Sequence, residues 1–185
     1  YITYEGGEET KITFLEDKYY VNPIVIKSER KIELNKHLML FFTGFSRFSS
    51  DIAKRQEKET KNKIAELMEM KQLVDEAEQI LVSKCDLKEF GKLLDYTWKL
   101  KRGIAKEISN DTVDLLYEKA CQAGAIGGKL LGAGGGGFML FIVETKKQEE
   151  KKKVLSKLLY VPFEFEDGGT RILYYKSEEF SLNVS

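Results

Sequence analysis

Apolar residues change their spacing along this chain, and the spacing predicts where strands and helices form. Residues 11–15 and 19–26 are rich in β-branched and aromatic side chains, which predicts two strands joined by a turn at 16–18. The unbroken apolar run from Leu38 to Thr43 predicts a central strand that is apolar on both faces, and Gly44 ends it.

Two further segments near the end of the chain have the composition of strands. The apolar run 138–143 predicts a buried strand. The alternating residues 163–166, a turn at 167–169 and the run 171–176 predict a terminal hairpin.

Between these strands the apolar residues fall three and four positions apart, which is the period of a helix. Residues 50–83 contain neither Gly nor Pro and predict one long helical region, with Ser49 or Ser50 as its N-cap. Asp86 predicts the start of a second helix, and Asn110 or Asp111 predicts the start of a third, which ends at Gly124. Residues 146–160 predict a last helix with a charged, solvated first half. Helices between separated strands indicate an α+β sandwich.

The glycines of the chain are concentrated in one segment, residues 124–138. Eight of the fifteen glycines lie there, Lys129 stands in the middle, and the apolar run 138–143 follows directly. Gly loses more backbone freedom on folding than any other residue, so the cluster indicates positive φ angles or a closely approaching ligand or segment. Exposed N–H groups in such loops form anion-binding concavities, and we therefore expect a phosphate site. A tight turn that only lets a helix pack closely on a strand is the structural alternative.

Two familiar phosphate loops do not fit this segment. Gly132, Gly134 and Gly137 match G-x-G-x-x-G by letter. The dinucleotide-binding loop, however, follows a strand and opens a helix, whereas here the helix-like residues come first. The P-loop requires Ser or Thr after Gly-Lys, and Leu130 occupies that position.

The glycine-rich segment resembles the third motif of the GHMP kinases, the superfamily of galactokinase, homoserine kinase, mevalonate kinase and phosphomevalonate kinase. Residues 123–138 are most similar to the branch that phosphorylates heptose 7-phosphate and fucose. Residues 40–47, followed by Ile52 and Gln56, resemble the Thr-Gly-x-x-Arg segment of that branch, and Asn22-Pro23 is also similar.

The resemblance implies a ferredoxin-like C-terminal domain, in which helices pack on an antiparallel sheet. We assign residues 37–185 to this domain and residues 1–36 to N-terminal strands, which could be the tail of a preceding domain. In the family, the main ATP loop and the catalytic Asp belong to the N-terminal domain, and no Gly-Ser-Ser sequence of that loop occurs here. We therefore expect no catalytic residue in this chain, a missing N-terminal kinase domain as its partner, and little activity from the chain alone.

The resemblance also implies ligands and binding residues. The expected reaction transfers the γ-phosphate of ATP, with Mg²⁺, to a hydroxyl of a sugar or sugar phosphate, with D-glycero-D-manno-heptose 7-phosphate at its anomeric position as first choice. Lys129 is expected to bind a substrate phosphate or the γ-phosphate, and Arg47 a sugar phosphate; a surface lysine and a structural ion pair are the respective alternatives. Thr43 and Ser46 are expected to donate to a sugar hydroxyl. The residues expected to face ATP phosphates, or to support the loop of the N-terminal domain that does, are Gly132, Ala133, Gly134, Gly135, Gly136 and Gly137.

Composition narrows the other classes of function. Lys plus Arg and Asp plus Glu number 30 each, so the net charge gives no support to nucleic acid or membrane as a partner. Cys85 and Cys121 have no neighbours at metal-ligand spacing, and His37 is the only His, which argues against a metal site and for a reducing cytoplasm. A non-catalytic small-molecule-binding or dimerisation module is the alternative function, and a homodimer stays open.

Overall fold

The structure, a computed structural model, describes residues 10–45 and 49–166, apart from the side chains of 49–53 and 55. The chain divides into two compact units, Val25–Glu164 and the two chain ends, Tyr1–Ile24 with Phe165–Ser185. In the smaller unit, β1 (Thr10–Leu15) and β2 (Lys18–Pro23) form an antiparallel hairpin, which confirms the two predicted strands.

The larger unit is built on a four-stranded sheet. Its strands are β3 (Leu38–Phe42), β4 (Gly127–Leu130), β5 (Phe138–Ile142) and β6 (Leu159–Val161). They lie in the order β4-β5-β3-β6, and every neighbouring pair is antiparallel. β3 therefore has a partner on each side, which confirms its predicted central place.

One face of this sheet carries the hydrophobic core. Met39 pairs with Phe141 and Phe41 with Met139, so these four side chains share a face, and all four are fully buried. The opposite face is apolar but only half-covered, and Phe138 on it is 40% exposed. β3 is thus apolar on both faces, as its sequence predicts, but fully buried on one.

Helices and two short 3₁₀ turns complete the larger unit. The 3₁₀ turns are Lys106–Ile108 and Thr145–Lys147. The helices in the described residues are α1 (Ser28–His37), α2 (Ser49–Thr60), α3 (Ile64–Val82), α4 (Leu87–Arg102), α5 (Asp111–Gln122) and α6 (Gln148–Val154). The predicted fold class, an antiparallel sheet with helices packed on it, is confirmed.

The predicted starts of α4 and α5 are confirmed by their caps. The Asp86 carboxylate accepts a hydrogen bond from the N–H of Lys88, and the Asn110 side-chain oxygen accepts one from the N–H of Val113. Gly124 follows the end of α5 with a φ of 97°, a left-handed conformation that suits Gly.

The structure corrects two predictions about the first helices of the chain. The helical region 50–83 is interrupted at 61–63, where the N–H groups of Asn62 and Lys63 close tight turns onto Glu59 and Thr60. Residues 28–37 form α1 although we assigned residues 1–36 to strands; their many charges mask the apolar face, of which only Leu34 is buried. The assignment of residues 1–36 to the tail of a preceding domain stays a prediction.

The last predicted helix, 146–160, is much shorter than expected. α6 ends at Val154, because residues 159–161 leave the helix to pair with β3. Residues 163–166 have no regular secondary structure, so the strand predicted there is wrong. The turn at 167–169 and the strand at 171–176 lie outside the described residues.

α4 and α5 pack against the buried face of the sheet. Trp98 of α4 is fully buried, and its ring lies 6.2 Å from the Tyr117 ring of α5, which in turn lies 5.9 Å from Phe141 of β5. The Tyr117 hydroxyl donates to Asp95 over 2.7 Å, which satisfies the polar end of this buried side chain. Across the ranges 10–45 and 49–166, no helix is long and apolar enough to cross a membrane.

Candidate functional site

The glycine-rich segment divides into a strand and a loop, and the glycines serve a different purpose in each. Gly127 lies in β4, where an added Cβ would stand 2.0 Å from the backbone oxygen of Gly91 in α4. Such a contact is impossible for any side chain, so Gly127 lets helix and strand approach closely. The structural alternative, close packing, therefore holds for this position.

The loop that follows, residues 132–137, connects β4 to β5 and has a different geometry. Five of its glycines have positive φ, in the left-handed range that L side chains rarely adopt. They are Gly132 (79°), Gly134 (127°), Gly135 (75°), Gly136 (154°) and Gly137 (106°). The backbone conformation of this glycine loop therefore requires glycine at these five positions.

The loop is packed against the body of the larger unit on two sides. A Cβ at Gly134 would lie 2.7 Å from the backbone of Ile108, and one at Gly136 would lie 2.6 Å from the Phe45 ring. Backbone hydrogen bonds fix the same contacts: Gly135 N–H donates to Ile108, and Gly137 N–H donates to Phe45. The loop is thus anchored at the 3₁₀ turn before α5 and at the segment after β3.

Donor side chains from separate elements hold the loop carbonyls. Gln56 of α2 donates to the Ala133 oxygen, Lys101 of α4 donates to the Gly132 oxygen, and the amide of Asn110 donates to the Gly135 oxygen. Thr43 is buried; its hydroxyl lies 2.9 Å from the Gly137 oxygen and accepts from the Gly137 N–H over 3.0 Å.

Several loop N–H groups, in contrast, have no partner. Among the residues that the structure describes, nothing accepts a hydrogen bond from the N–H of Gly132, Ala133, Gly134 or Gly136. Backbone N–H donors grouped in this way, without acceptors of their own, suit an anionic ligand.

Two lysines add positive charge beside the loop. Lys129 projects from β4, and within the described ranges its ammonium has neither a hydrogen-bond nor an ion-pair partner. Burial lowers the pKa of Lys129 below its usual value. Burial, and then the charge of Lys129, also lower the pKa of Lys101, so the two ammonium groups influence each other. An anion between or beside them would relieve this repulsion.

The structure brings some predicted site residues together and leaves others untested. The six loop residues, Lys129 and Thr43 lie in one region, although the Thr43 hydroxyl is engaged with Gly137. Ser46 and Arg47 lie outside the described residues, so their predicted roles stay predictions.

Sequence reasoning missed two side chains of this region. Lys101 lies near the end of α4 and Asn110 caps α5, but both also hold loop carbonyls, 31 and 25 residues away in sequence. Nothing in the local sequence signals such contacts. Gln56, noted in the Thr-Gly-x-x-Arg resemblance, does reach the loop, at 2.5 Å from the Ala133 oxygen.

A second concave region lies far from the loop in sequence and has a structural explanation. It is a cleft of about 740 Å³ between the start of α1 and the α3–α4 turn. Arg30 crosses it and donates to the carbonyls of Ile80 and Cys85 and to Glu33, which ties α1 to that turn. Its basic and acidic side chains balance, so the cleft offers no charge selectivity.

In the described part of the chain, no group of three or more His, Cys, Asp or Glu side chains could hold a metal ion. We therefore assign no step to a metal held by side chains of these residues alone.

The fold and the loop define a class of protein. Residues 79–160, which include α4, α5, the glycine loop and β5, match the family described as GHMP kinases C terminal. This part of the chain thus matches the C-terminal domain of GHMP kinases, in agreement with the resemblance of its glycine segment.

Three similar proteins are kinases that share this fold or sequence. D-glycero-alpha-D-manno-heptose 7-phosphate kinase from Campylobacter jejuni is 31% identical over 131 residues, which are 70% of this chain and 38% of that protein. The structure is similar to a D-glycero-D-manno-heptose 1-phosphate kinase from Bacteroides thetaiotaomicron, with a TM-score of 0.62 and 26% identity over 86% of this chain and 43% of that one. Mevalonate kinase from L. major shares the fold, with a TM-score of 0.65 and 18% identity over 82% of this chain and 47% of its own. This chain therefore spans less than half the length of each of these relatives.

Proposed function

We propose that this chain is the C-terminal part of a sugar kinase, which transfers the γ-phosphate of ATP to a hydroxyl of a sugar or sugar phosphate. An N-terminal kinase domain would supply the main ATP loop and the catalytic residue. The observation that supports the proposal is the glycine loop, whose unpartnered N–H groups lie beside a half-buried lysine without a counter-charge.

The residues of this chain would act by electrostatics and positioning. Phosphoryl transfer requires that negative charge on the transferred group be stabilised by fixed donors. The N–H groups of Ala133, Gly134 and Gly136 would donate to phosphate oxygens, and the Lys129 ammonium would balance the charge of a phosphate. Such donors are already oriented before the ligand arrives, so no reorganisation is needed during the reaction.

The proposed substrate is D-glycero-D-manno-heptose 7-phosphate, phosphorylated at its anomeric hydroxyl. The 31% identity to a kinase named for this substrate supports the choice. A substrate panel on the protein with its N-terminal domain tests it, using heptose 7-phosphate, unphosphorylated heptose and mevalonate. We expect the highest kcat/KM with heptose 7-phosphate, and ³¹P NMR of the product should show an anomeric phosphate. A preference for mevalonate would contradict this choice.

The loop itself is tested by Gly134→Val and Lys129→Met in the same protein. The valine meets the Ile108 backbone and requires a φ of 127°, so it distorts the loop. We expect kcat/KM to fall about a hundredfold for Gly134→Val and about tenfold for Lys129→Met, because each removes stabilisation of phosphate charge.

One control and one replacement variant complete that experiment. Lys92→Met removes an exposed lysine of α4 that pairs only with Glu89, and it should leave kinetics unchanged. If Gly134→Val unfolds, Gly132→Ala replaces it, since its Cβ meets nothing within 4 Å and only its φ is unfavourable. Folded loop variants with unchanged kcat/KM would reject the kinase site and favour a non-catalytic binding or dimerisation module.

A further inference from the structure

Three hydrogen bonds onto the glycine loop come from three different helices or their caps. The Gln56 amide nitrogen lies 2.5 Å from the Ala133 oxygen, the Lys101 ammonium 2.6 Å from the Gly132 oxygen, and the Asn110 amide nitrogen 3.2 Å from the Gly135 oxygen. In all three, a side chain donates to a carbonyl of the loop.

Peptide geometry turns each of these bonds into a constraint on an N–H group. A trans peptide is planar, and its C=O and N–H point in opposite directions. No cis peptide occurs in the described residues. The Gly132 carbonyl shares its peptide plane with the N–H of Ala133, the Ala133 carbonyl with that of Gly134, and the Gly135 carbonyl with that of Gly136.

Each carbonyl held by Lys101, Gln56 or Asn110 belongs to a peptide whose N–H group is unpartnered. Lys101 sets the direction of the Ala133 N–H, Gln56 that of Gly134, and Asn110 that of Gly136. These three N–H groups are among the four in the loop that lack an acceptor in the part of the chain that the structure describes. The donor side chains therefore turn the backbone so that its N–H groups face away from the helices.

A loop of glycines needs such external support. Gly populates positive and negative φ about equally, so a peptide plane flanked by glycines can rotate at little steric cost. An N–H group that rotates between directions donates poorly to a fixed anion, because the entropy lost on orienting it weakens binding. Hydrogen bonds on the carbonyl side remove that freedom before a ligand binds.

We propose that Lys101, Gln56 and Asn110 are positioning residues of the glycine loop, each fixing the direction of one backbone donor for a phosphate group. The proposal rests on the proposed function only in that it takes phosphate as the ligand. None of the three side chains needs to touch the ligand, because each acts through the peptide that it holds.

Three substitutions test the proposal without changing side-chain size. Asn110→Asp keeps the oxygen that caps α5 but replaces the N–H donor by an oxygen facing the Gly135 carbonyl. Gln56→Glu likewise replaces an N–H donor by an oxygen, which then faces the Ala133 carbonyl. Lys101→Met removes the ammonium that donates to the Gly132 carbonyl. Gln122→Glu, at an exposed position of α5, controls for the added negative charge, and Lys92→Met controls for the lost positive one.

The readout is the backbone amide signal of each loop residue in the isotope-labelled protein with its N-terminal domain, titrated with pyrophosphate. In the unaltered protein we expect shifts at Ala133, Gly134 and Gly136. Lys101→Met should reduce the shift most at Ala133, Gln56→Glu most at Gly134, and Asn110→Asp most at Gly136. Affinity should fall about tenfold in each, as expected for one misdirected hydrogen bond to a charged group.

Kinetics give an independent readout. The three variants should raise the KM for ATP more than the KM for the sugar, with thermal melting points close to that of the unaltered protein. Unchanged shifts and affinity in all three folded variants, alongside a defect in Gly134→Val, would overturn the positioning role and leave the proposed function standing. Loop amides that do not respond to pyrophosphate even in the unaltered protein, together with normal kinetics for Gly134→Val, would overturn both.

Discussion

The Lys129 ammonium carries a positive charge in a half-buried position where no carboxylate of the described residues balances it. Partial burial favours the neutral form of a lysine, and its lowered pKa expresses that cost. A lysine kept in such a place, next to unpartnered N–H groups and to Lys101, is better matched to an anionic ligand than to a purely structural role.

The protonation of Lys129 gives a prediction about pH. A bound anion favours the charged lysine, so binding raises the pKa of Lys129 back toward 10.5. At pH values between the lowered pKa and 10.5, pyrophosphate binding should therefore take up protons, and affinity should weaken as pH rises through the lowered pKa.

Calorimetry in two buffers of different ionisation enthalpy measures that proton uptake. Lys129→Met should abolish most of it, whereas Lys92→Met should leave it intact, because Lys92 pairs with Glu89 at the surface. Equal proton uptake with and without Lys129 would show that another group is responsible.

At the level of elements, β4 and α4 pack closely because glycines face each other between them. Gly91 of α4 faces Ile126, and an added Cβ there would lie 2.7 Å from the Ile126 side chain. Gly127 of β4 faces the Gly91 carbonyl of α4. This contact places the end of α4, and hence Lys101, next to the glycine loop.

A methyl group at Gly127 should therefore separate the helix from the strand. Because the obstacle is backbone, it has no flexible side chain that can move aside, and we expect Gly127→Ala to lower the free energy of unfolding by about 3 kcal/mol. Gly103→Ala is the control, since its φ is −72° and its Cβ meets the Leu100 carbonyl only at 3.3 Å. Urea denaturation compares the two; equal stability would mean that α4 shifts without cost.

Elements with strong local signals could be predicted from the sequence. The spacing of apolar residues predicts the β1–β2 hairpin, β3 and β5, and capping residues predict the starts of α4 and α5. The missed or misplaced elements depend on distant partners. β4 has only Gly127, Gly128, Lys129 and Leu130, and it is a strand because β5 pairs with it. Likewise, the helix predicted for 146–160 ends early because residues 159–161 pair with β3 as strand β6.

The candidate site shows the same division between residues with a local sequence signal and residues that depend on distant packing. The glycine loop and Lys129 carry an unusual composition, so a single sequence points to them. Lys101 is an ordinary helix residue and Asn110 an ordinary N-cap, and only the packing of α4 and α5 brings them to the loop.

For the molecule as a whole, the relevant fact is that this chain spans 38% of its heptose 7-phosphate kinase relative. Under the proposed function, a nucleotide would contact this chain on one side and the N-terminal domain on the other. The loop donors alone can hold only part of an ATP molecule.

We therefore expect the isolated chain to bind Mg-ATP weakly or not at all. Titration by calorimetry should give a dissociation constant above about 1 mM, equivalent to no more than about 4 kcal/mol of binding free energy. The protein with the proposed N-terminal domain, titrated in parallel, serves as the positive control. Micromolar binding by the isolated chain would show that it holds a complete nucleotide site.

The single tryptophan of the chain gives these experiments an optical signal. Trp98 is fully buried between the sheet and α5, and the Arg102 guanidinium lies 5.9 Å from its ring centre. Its fluorescence should therefore lie at short wavelength in the folded chain and move to longer wavelength when water reaches the indole. Because Trp98 stands one helical turn before Lys101 and Arg102, emission should also report a displacement of α4 that leaves the rest of the chain folded.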